Sequence, residues 1–178
     1  MGIPLKGKVI WLYGESRTGK TTLGYLLGQR MAKTLIVRRL DEDILGETIC
    51  KGLDNTRKGI CDFIRKAGYL ARILANEGLT VIASFITPYL ENRLFLYKVL
   101  KEDLILIRLD ASIKTLMDRD ENGLYTHAIL GNLDNVAGVH FKIEDDPFTI
   151  LRVFTDDDPP DKCADLIIAT LRSMDYEC

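Results

Sequence analysis

Lys8–Thr22, KVIWLYGESRTGKTT, decides how the rest of the chain is read. An apolar run, Val9–Tyr13, leads into Gly14-Glu15-Ser16-Arg17-Thr18-Gly19-Lys20-Thr21. The spacing G-x-x-x-x-G-K-T is that of a phosphate-binding loop between a strand and a helix. The two glycines permit a tight turn whose backbone N–H groups face inward, and no side chain then blocks a polyphosphate. Lys20 is placed to reach the terminal phosphates, and the Thr21 hydroxyl to hold Mg²⁺. The following helix points its positive N-terminus at the same anion. The expected ligand is MgATP, held by Gly14, Ser16, Arg17, Thr18, Gly19, Lys20, Thr21 and Thr22.

Working outward, 178 residues make one domain, 1–178, large enough for a hydrophobic core. The hydrophobic fraction of 47% is that of a soluble globular protein. A formal net charge of −2 gives no general attraction to nucleic acid or to an anionic membrane. The apolar runs are too short to cross a bilayer. Met1–Lys6 has no signal-peptide core, and Lys6 stands where myristoylation of Gly2 would want Ser or Thr. Cys50, Cys61, Cys163 and Cys178 show no metal-ligand spacing and are expected to be thiols in a cytoplasmic protein.

Past the loop, Leu23, Leu26, Leu27 and Met31 recur at helical spacing within Thr21–Ala32. Thr34–Leu40 reads as a strand, and its Arg38 and Arg39 require an edge position, because a central parallel strand is buried on both faces. Ile44–Asp54 is a loop or short helix. Asn55–Glu77 is a long helix stopped by Gly78. Leu79–Ser84 and Leu104–Leu109 are apolar strands flanking a helix at Glu91–Leu100. Ser112 caps a helix running to Met117, Ile150–Thr155 is the last strand, and Pro159-Pro160 open a final helix to about Met174. Arg119–Gly138, polar and dotted with glycine, reads as a mobile lid. The alternation predicts a three-layer α/β fold of the P-loop nucleotide-kinase type with a mostly parallel sheet. Ligands collect at the carboxyl ends of such strands, where Gly14–Lys20, Asp41–Asp43, Phe85–Tyr89 and Asp110–Arg119 all fall.

Asp41 and Asp43, two apart, point the same way if the chain is extended there. One would orient Mg²⁺ and its waters; the other, Asp43, would accept or orient an attacking hydroxyl. Arg119, opening the lid, would neutralise charge on the transferring phosphoryl group. Arg65 on the long helix would grip an anionic group of the acceptor. His127 and His140 lack a partner at metal spacing.

These residues together resemble the adenylylsulfate kinase family over nearly the whole chain. The family's W-L-T-G-x-S-x-x-G-K-T-T stands as Trp11–Thr22, its L-D-G-D as Leu40-Asp41-Glu42-Asp43, its A-x-x-G-x-x-V-I-A-S-x-I-S-P-Y as Ala75–Tyr89, and its R-D-x-K-G-L-Y as Arg119–Tyr125. The resemblance implies MgATP-dependent phosphorylation of the ribose 3′-hydroxyl of adenylyl sulfate. It also implies a small-molecule nucleotide acceptor and a homodimer, with catalysis by Lys20, Asp41, Asp43 and Arg119. Thr21 and Asp41 would hold the metal, and Asp43, Arg65, Phe85, Ile86, Thr87 and His127 would border the acceptor.

The departures lie on the acceptor side. Gly46 stands where the family has an acceptor-binding Arg, and the following loop with its adenine-facing Phe is shortened. N-I-R-R becomes Phe63-Ile64-Arg65-Lys66, the lid's K-K-A-R becomes Thr126–Ile129, and Val136 replaces a second stacking aromatic, with Phe63 or Phe141 left to substitute. This erosion predicts weakened specificity for adenylyl sulfate, with comparable use of a cytidine nucleotide. It opens two alternatives: a cytidine diphosphoramidate kinase and a nucleotide-binding regulator without transferase activity.

Overall fold

The structure, a computed structural model, describes residues 7–176; the expectations for Met1–Lys6 and for Cys178 fall outside them. Five strands form one parallel sheet in the order β2-β3-β1-β4-β5. These are β1 (Val9–Tyr13), β2 (Val37–Asp41), β3 (Thr80–Phe85), β4 (Leu104–Asp110) and β5 (Leu151–Phe154). Strict alternation along the strands divides the core in two. Val9, Trp11 and Tyr13 of β1 face α3 (Arg57–Asn76) and α4 (Leu90–Leu100), while Ile10 and Leu12 face α1 (Lys20–Met31) and α7 (Pro160–Ser173). β1 and β3 are buried along their whole length, which is why they read as continuous apolar runs.

β2 lies at the sheet edge, as its arginines require: Arg38 donates to the Val37 carbonyl, and Arg39 lies over the Tyr25 ring at 5.1 Å. Helix ends follow their caps. Thr56 accepts from Gly59 N to start α3, and Gly78, at φ 82°, turns the chain just beyond its end. Ser112 caps α5 (Ile113–Asp118) through Thr115 N, and Pro160 is the first residue of α7.

One expectation needs correcting. Asp41–Asp43 is not extended: Asp41 ends β2 and is the N-cap of α2 (Glu42–Glu47), its carboxylate accepting from Asp43 N at 3.2 Å. An acidic residue is favoured at that position because it satisfies an otherwise orphaned helical N–H. The lid region Arg119–Gly138 carries α6 (Leu124–Ile129) and a small core of its own, with Tyr125 fully buried beside Leu116, Ala128 and Val136. Among the described residues no helix is long and apolar enough to cross a membrane.

Candidate active site

The carboxyl ends of β1, β2 and β3 place the loop and the acidic pair side by side. The register aligns Leu12 and Asp41 with Ser84. Gly14 turns the chain where a Cβ would come within 2.2 Å of the Leu109 carbonyl oxygen, so only glycine fits between β1 and β4. Gly19, at φ 92°, leads into α1 without any side-chain cap, which leaves the first helical N–H groups available to an anion. Lys20 curls back into the loop and donates to the carbonyls of Gly14 at 3.1 Å and Glu15 at 2.7 Å. Its burial pulls the ammonium pKa down; the carboxylates of Glu42, Glu15, Asp41 and Asp43 oppose that shift.

Thr21 donates to Asp41 Oδ2 at 2.9 Å, so a hydroxyl and a carboxylate sit together beside the loop. That hard oxygen pair fits Mg²⁺. Among the described residues no cluster of three His, Cys, Asp or Glu side chains could hold a metal ion alone. The remaining ligands would come from phosphate oxygens and water.

The lid is tied to the loop at three points. Tyr125 donates its hydroxyl hydrogen to the Ser16 carbonyl at 2.8 Å, Arg17 reaches the buried Asp120 carboxylate at 3.3 Å, and Arg119 donates to Thr155 and to the Arg17 carbonyl. Between lid, loop and α1 lies a cleft of about 1090 Å³ lined by Ser16–Leu23, Asp41–Asp43, Ile86 and Arg119. A second cavity of about 500 Å³ lies between α2 and α3, and the two share Glu42 and Asp43. A donor in the first and an acceptor in the second would therefore meet at α2's first turn, beside Lys20.

The structure gathers Ser16–Thr22, Asp41, Asp43, Ile86 and Arg119 around the cleft, and Thr87 on the second cavity. Thr87 is buried at φ 46°, and its hydroxyl accepts from Trp11 Nε1 at 2.9 Å. Gly14 stands behind the cleft, between β1 and β4. Three expected acceptor contacts lie off both cavities. Phe85 is fully buried and stacked on Trp11 at 4.8 Å, Arg65 pairs with Asp62 on an exposed face, and exposed His127 contacts Asn132. Phe63 lines the second cavity; Phe141 stacks on Tyr89 instead.

Sequence reasoning missed Glu42 and Thr155. Glu42 lines both cavities and accepts from Ile86 N at 2.8 Å, and burial pushes its carboxyl pKa up against the lowering charge of Lys20. The signal was a glutamate where the family motif L-D-G-D has glycine. Thr155, just past β5, follows from the same carboxyl-end rule that located the other four segments.

Residues 6–150 match the family model described as adenylylsulphate kinase. The chain is 32% identical to the adenylyl-sulfate kinase of Myxococcus xanthus over 93% of this chain and 91% of that protein. It is 33% identical to a probable adenylyl-sulfate kinase of Aeropyrum pernix over 75% of each chain. The solved structure of the Mycobacterium tuberculosis APS kinase CysC in complex with AMPPNP and APS superposes with a TM-score of 0.89 at 25% identity, covering 95% of this chain and 99% of that one.

Proposed function

Because the chain belongs to the adenylylsulphate kinase family, we propose that it transfers the γ-phosphoryl group of ATP to the 3′-hydroxyl of adenylyl sulfate. The observation that carries this reading is the meeting of a loop-lined cleft with a second cavity at Glu42 and Asp43. Lys20 exchanges its two carbonyl partners for β- and γ-phosphate oxygens, and the α1 N–H groups hold the same anion. Thr21 and Asp41 hold Mg²⁺, which when bound supplies positive charge to the phosphates. The ribose hydroxyl, oriented by Asp43 and bordered by Ile86 and Thr87, attacks the γ-phosphorus. The bond to the β–γ bridging oxygen breaks, ADP departs with the electron pair, and the hydroxyl proton passes to Asp43. Arg119 faces the transferring group from the lid. Little covalent chemistry falls to the protein; positioning and charge neutralisation do the work.

The relatives named above are adenylyl-sulfate kinases, so neither the cytidine diphosphoramidate acceptor nor the regulator without transferase activity finds support among them. A cytoplasmic homodimer belongs to the same reading; Tyr69, Ile73 and Leu94 offer it an exposed apolar face on α3 and α4. Coupled ADP release tests the activity: adenylyl sulfate added to enzyme and MgATP is expected to raise ADP production well above the acceptor-free rate. Identical rates with and without it would overturn the assignment.

A further inference from the structure

Among the described residues three cations line the cleft beside the loop: Lys20, Arg119 and Arg17. Two of them are already engaged. Lys20 lies inside the loop on the Gly14 and Glu15 carbonyls. Arg119 donates from Nη1 to Thr155 Oγ1 at 3.0 Å and to the Arg17 carbonyl at 3.4 Å, and from Nη2 to the Thr155 carbonyl. Arg17 differs. Its Nε donates to Asp120 Oδ1 at 3.3 Å, and among the described residues neither of its terminal nitrogens has a hydrogen-bond or ion-pair partner. The Asp120 side chain is shut in, 2% exposed, whereas the Arg17 side chain is 35% exposed and borders the cleft.

The backbone sets Arg17 apart as well. It stands in the left-handed region at φ 64°, in the middle of a loop where glycine would sit without strain. Residues held in that region at a cost cluster where a site uses them. The lid fixes this one on two sides. Arg119 holds its carbonyl, and Asp120 holds its Nε. Asp120 is itself anchored: its Oδ2 accepts from Tyr125 N at 2.8 Å, and the Tyr125 hydroxyl donates to the carbonyl of neighbouring Ser16. A guanidinium pinned at Nε keeps its Nη1–Nη2 edge as a planar fork, which matches two oxygens of one phosphoryl group.

We propose that Arg17 is a catalytic residue of the phosphoryl transfer, its Nη1–Nη2 edge binding non-bridging oxygens of the γ-phosphoryl group, with Asp120 of the lid as the positioning residue. This rests on the reading of the chain as a kinase that uses ATP in this cleft. No bond forms or breaks at Arg17. The ribose oxygen gains the phosphorus, the β–γ bridging oxygen keeps the electron pair, and the hydroxyl proton goes to Asp43. Arg17 supplies positive charge while the phosphoryl group lies between the two oxygens, in a cleft covered by the lid.

The test measures kcat with adenylyl sulfate and MgATP, ADP affinity by calorimetry, and melting, for the wild-type enzyme and three variants. Arg17→Gly suits the left-handed backbone and removes the cation. Its kcat is expected to fall by about 10²–10³-fold. ADP affinity should stay nearly unchanged, because ADP lacks the phosphoryl group that Arg17 serves. Arg17→Lys keeps a charge beside Asp120 without the fork; it is expected to melt like the wild type and to lose about tenfold in kcat. It decides alone if the glycine variant does not fold. Asp120→Asn retains an acceptor for Tyr125 N but releases the guanidinium, and its kcat should fall about tenfold with ADP affinity again unchanged. Wild-type kcat in a folded Arg17 variant overturns the proposal and leaves Arg17 a fastener of the lid. An ADP affinity that falls as far as kcat overturns it too, and wild-type kcat in Asp120→Asn removes the positioning role. If the wild-type enzyme binds ADP but releases none from MgATP and adenylyl sulfate, the kinase reading itself falls and takes the proposal with it.

Discussion

Lys20 is the residue on which the most chemistry converges. Its ammonium lies in the loop with two backbone carbonyls as partners and four carboxylates around it, poised for an anion that outcompetes them. Lys20→Ala is expected to lower kcat/KM by about 10²–10³-fold or more, because a preorganised cation is lost where transition-state charge develops. The melting temperature should change little, since the removed charge faces ligand; near-wild-type turnover would refute the loop assignment. Asp43 is exposed in α2's first turn, so Asp43→Asn tests chemistry without disturbing a core. Turnover is expected to fall by roughly 10²–10⁴-fold with ATP affinity nearly unchanged. A variant with wild-type turnover and altered Mg²⁺ dependence would instead make Asp43 part of the metal shell. At this scale, the positions of side chains in a sequence-local motif were legible: Ser16–Thr22, Asp41 and Arg119 all line the cleft. Arg65, Phe85 and His127 face elsewhere because their orientation depends on helix phase and strand parity, which motif spacing does not reveal. Glu42 escaped notice because its role comes from burial between two cavities, a tertiary property.

Among elements, strands and long helices were readable because alternation and 3.6-residue spacing record which face is buried. The two arginines of β2 identified the edge strand before any pairing was known. The turn from β2 into α2 was not readable: a capping aspartate and an extended acidic pair have the same local sequence, and the Asp43 N–H bond to Asp41 decides between them. Another device invisible in the sequence is Arg93 of α4. It is fully buried, pairs with Asp146 at 3.0 Å, donates to the carbonyls of Thr87 and Glu144, and lies over the Tyr13 ring at 4.8 Å. It thereby ties the loop after β3, which carries Thr87, to the segment before β5. Arg93→Met leaves the Asp146 carboxylate buried without its cation, which costs about 3–5 kcal/mol. Thermal melting should drop by roughly 6–20 °C for a chain of this size. A shift of a degree or less would show that Asp146 finds another partner and that Arg93 is dispensable.

For the whole molecule, one parallel sheet explains why residues far apart in sequence converge. Parallel strands end on the same side, so the loop after β1, the acidic turn after β2, Ile86 and Thr87 after β3 and Thr155 after β5 all open onto one rim. Helices on both faces leave that rim as the place where two cavities can adjoin, one for a nucleoside triphosphate and one for the hydroxyl that attacks it. The central claim is the destination of the phosphoryl group, and ³¹P NMR of the product made from adenylyl sulfate and MgATP tests it most directly. The account predicts one new phosphomonoester resonance, coupled to the ribose 3′ proton, appearing in step with ADP. ADP accompanied only by inorganic phosphate, or a phosphoryl group on any other oxygen, would contradict it.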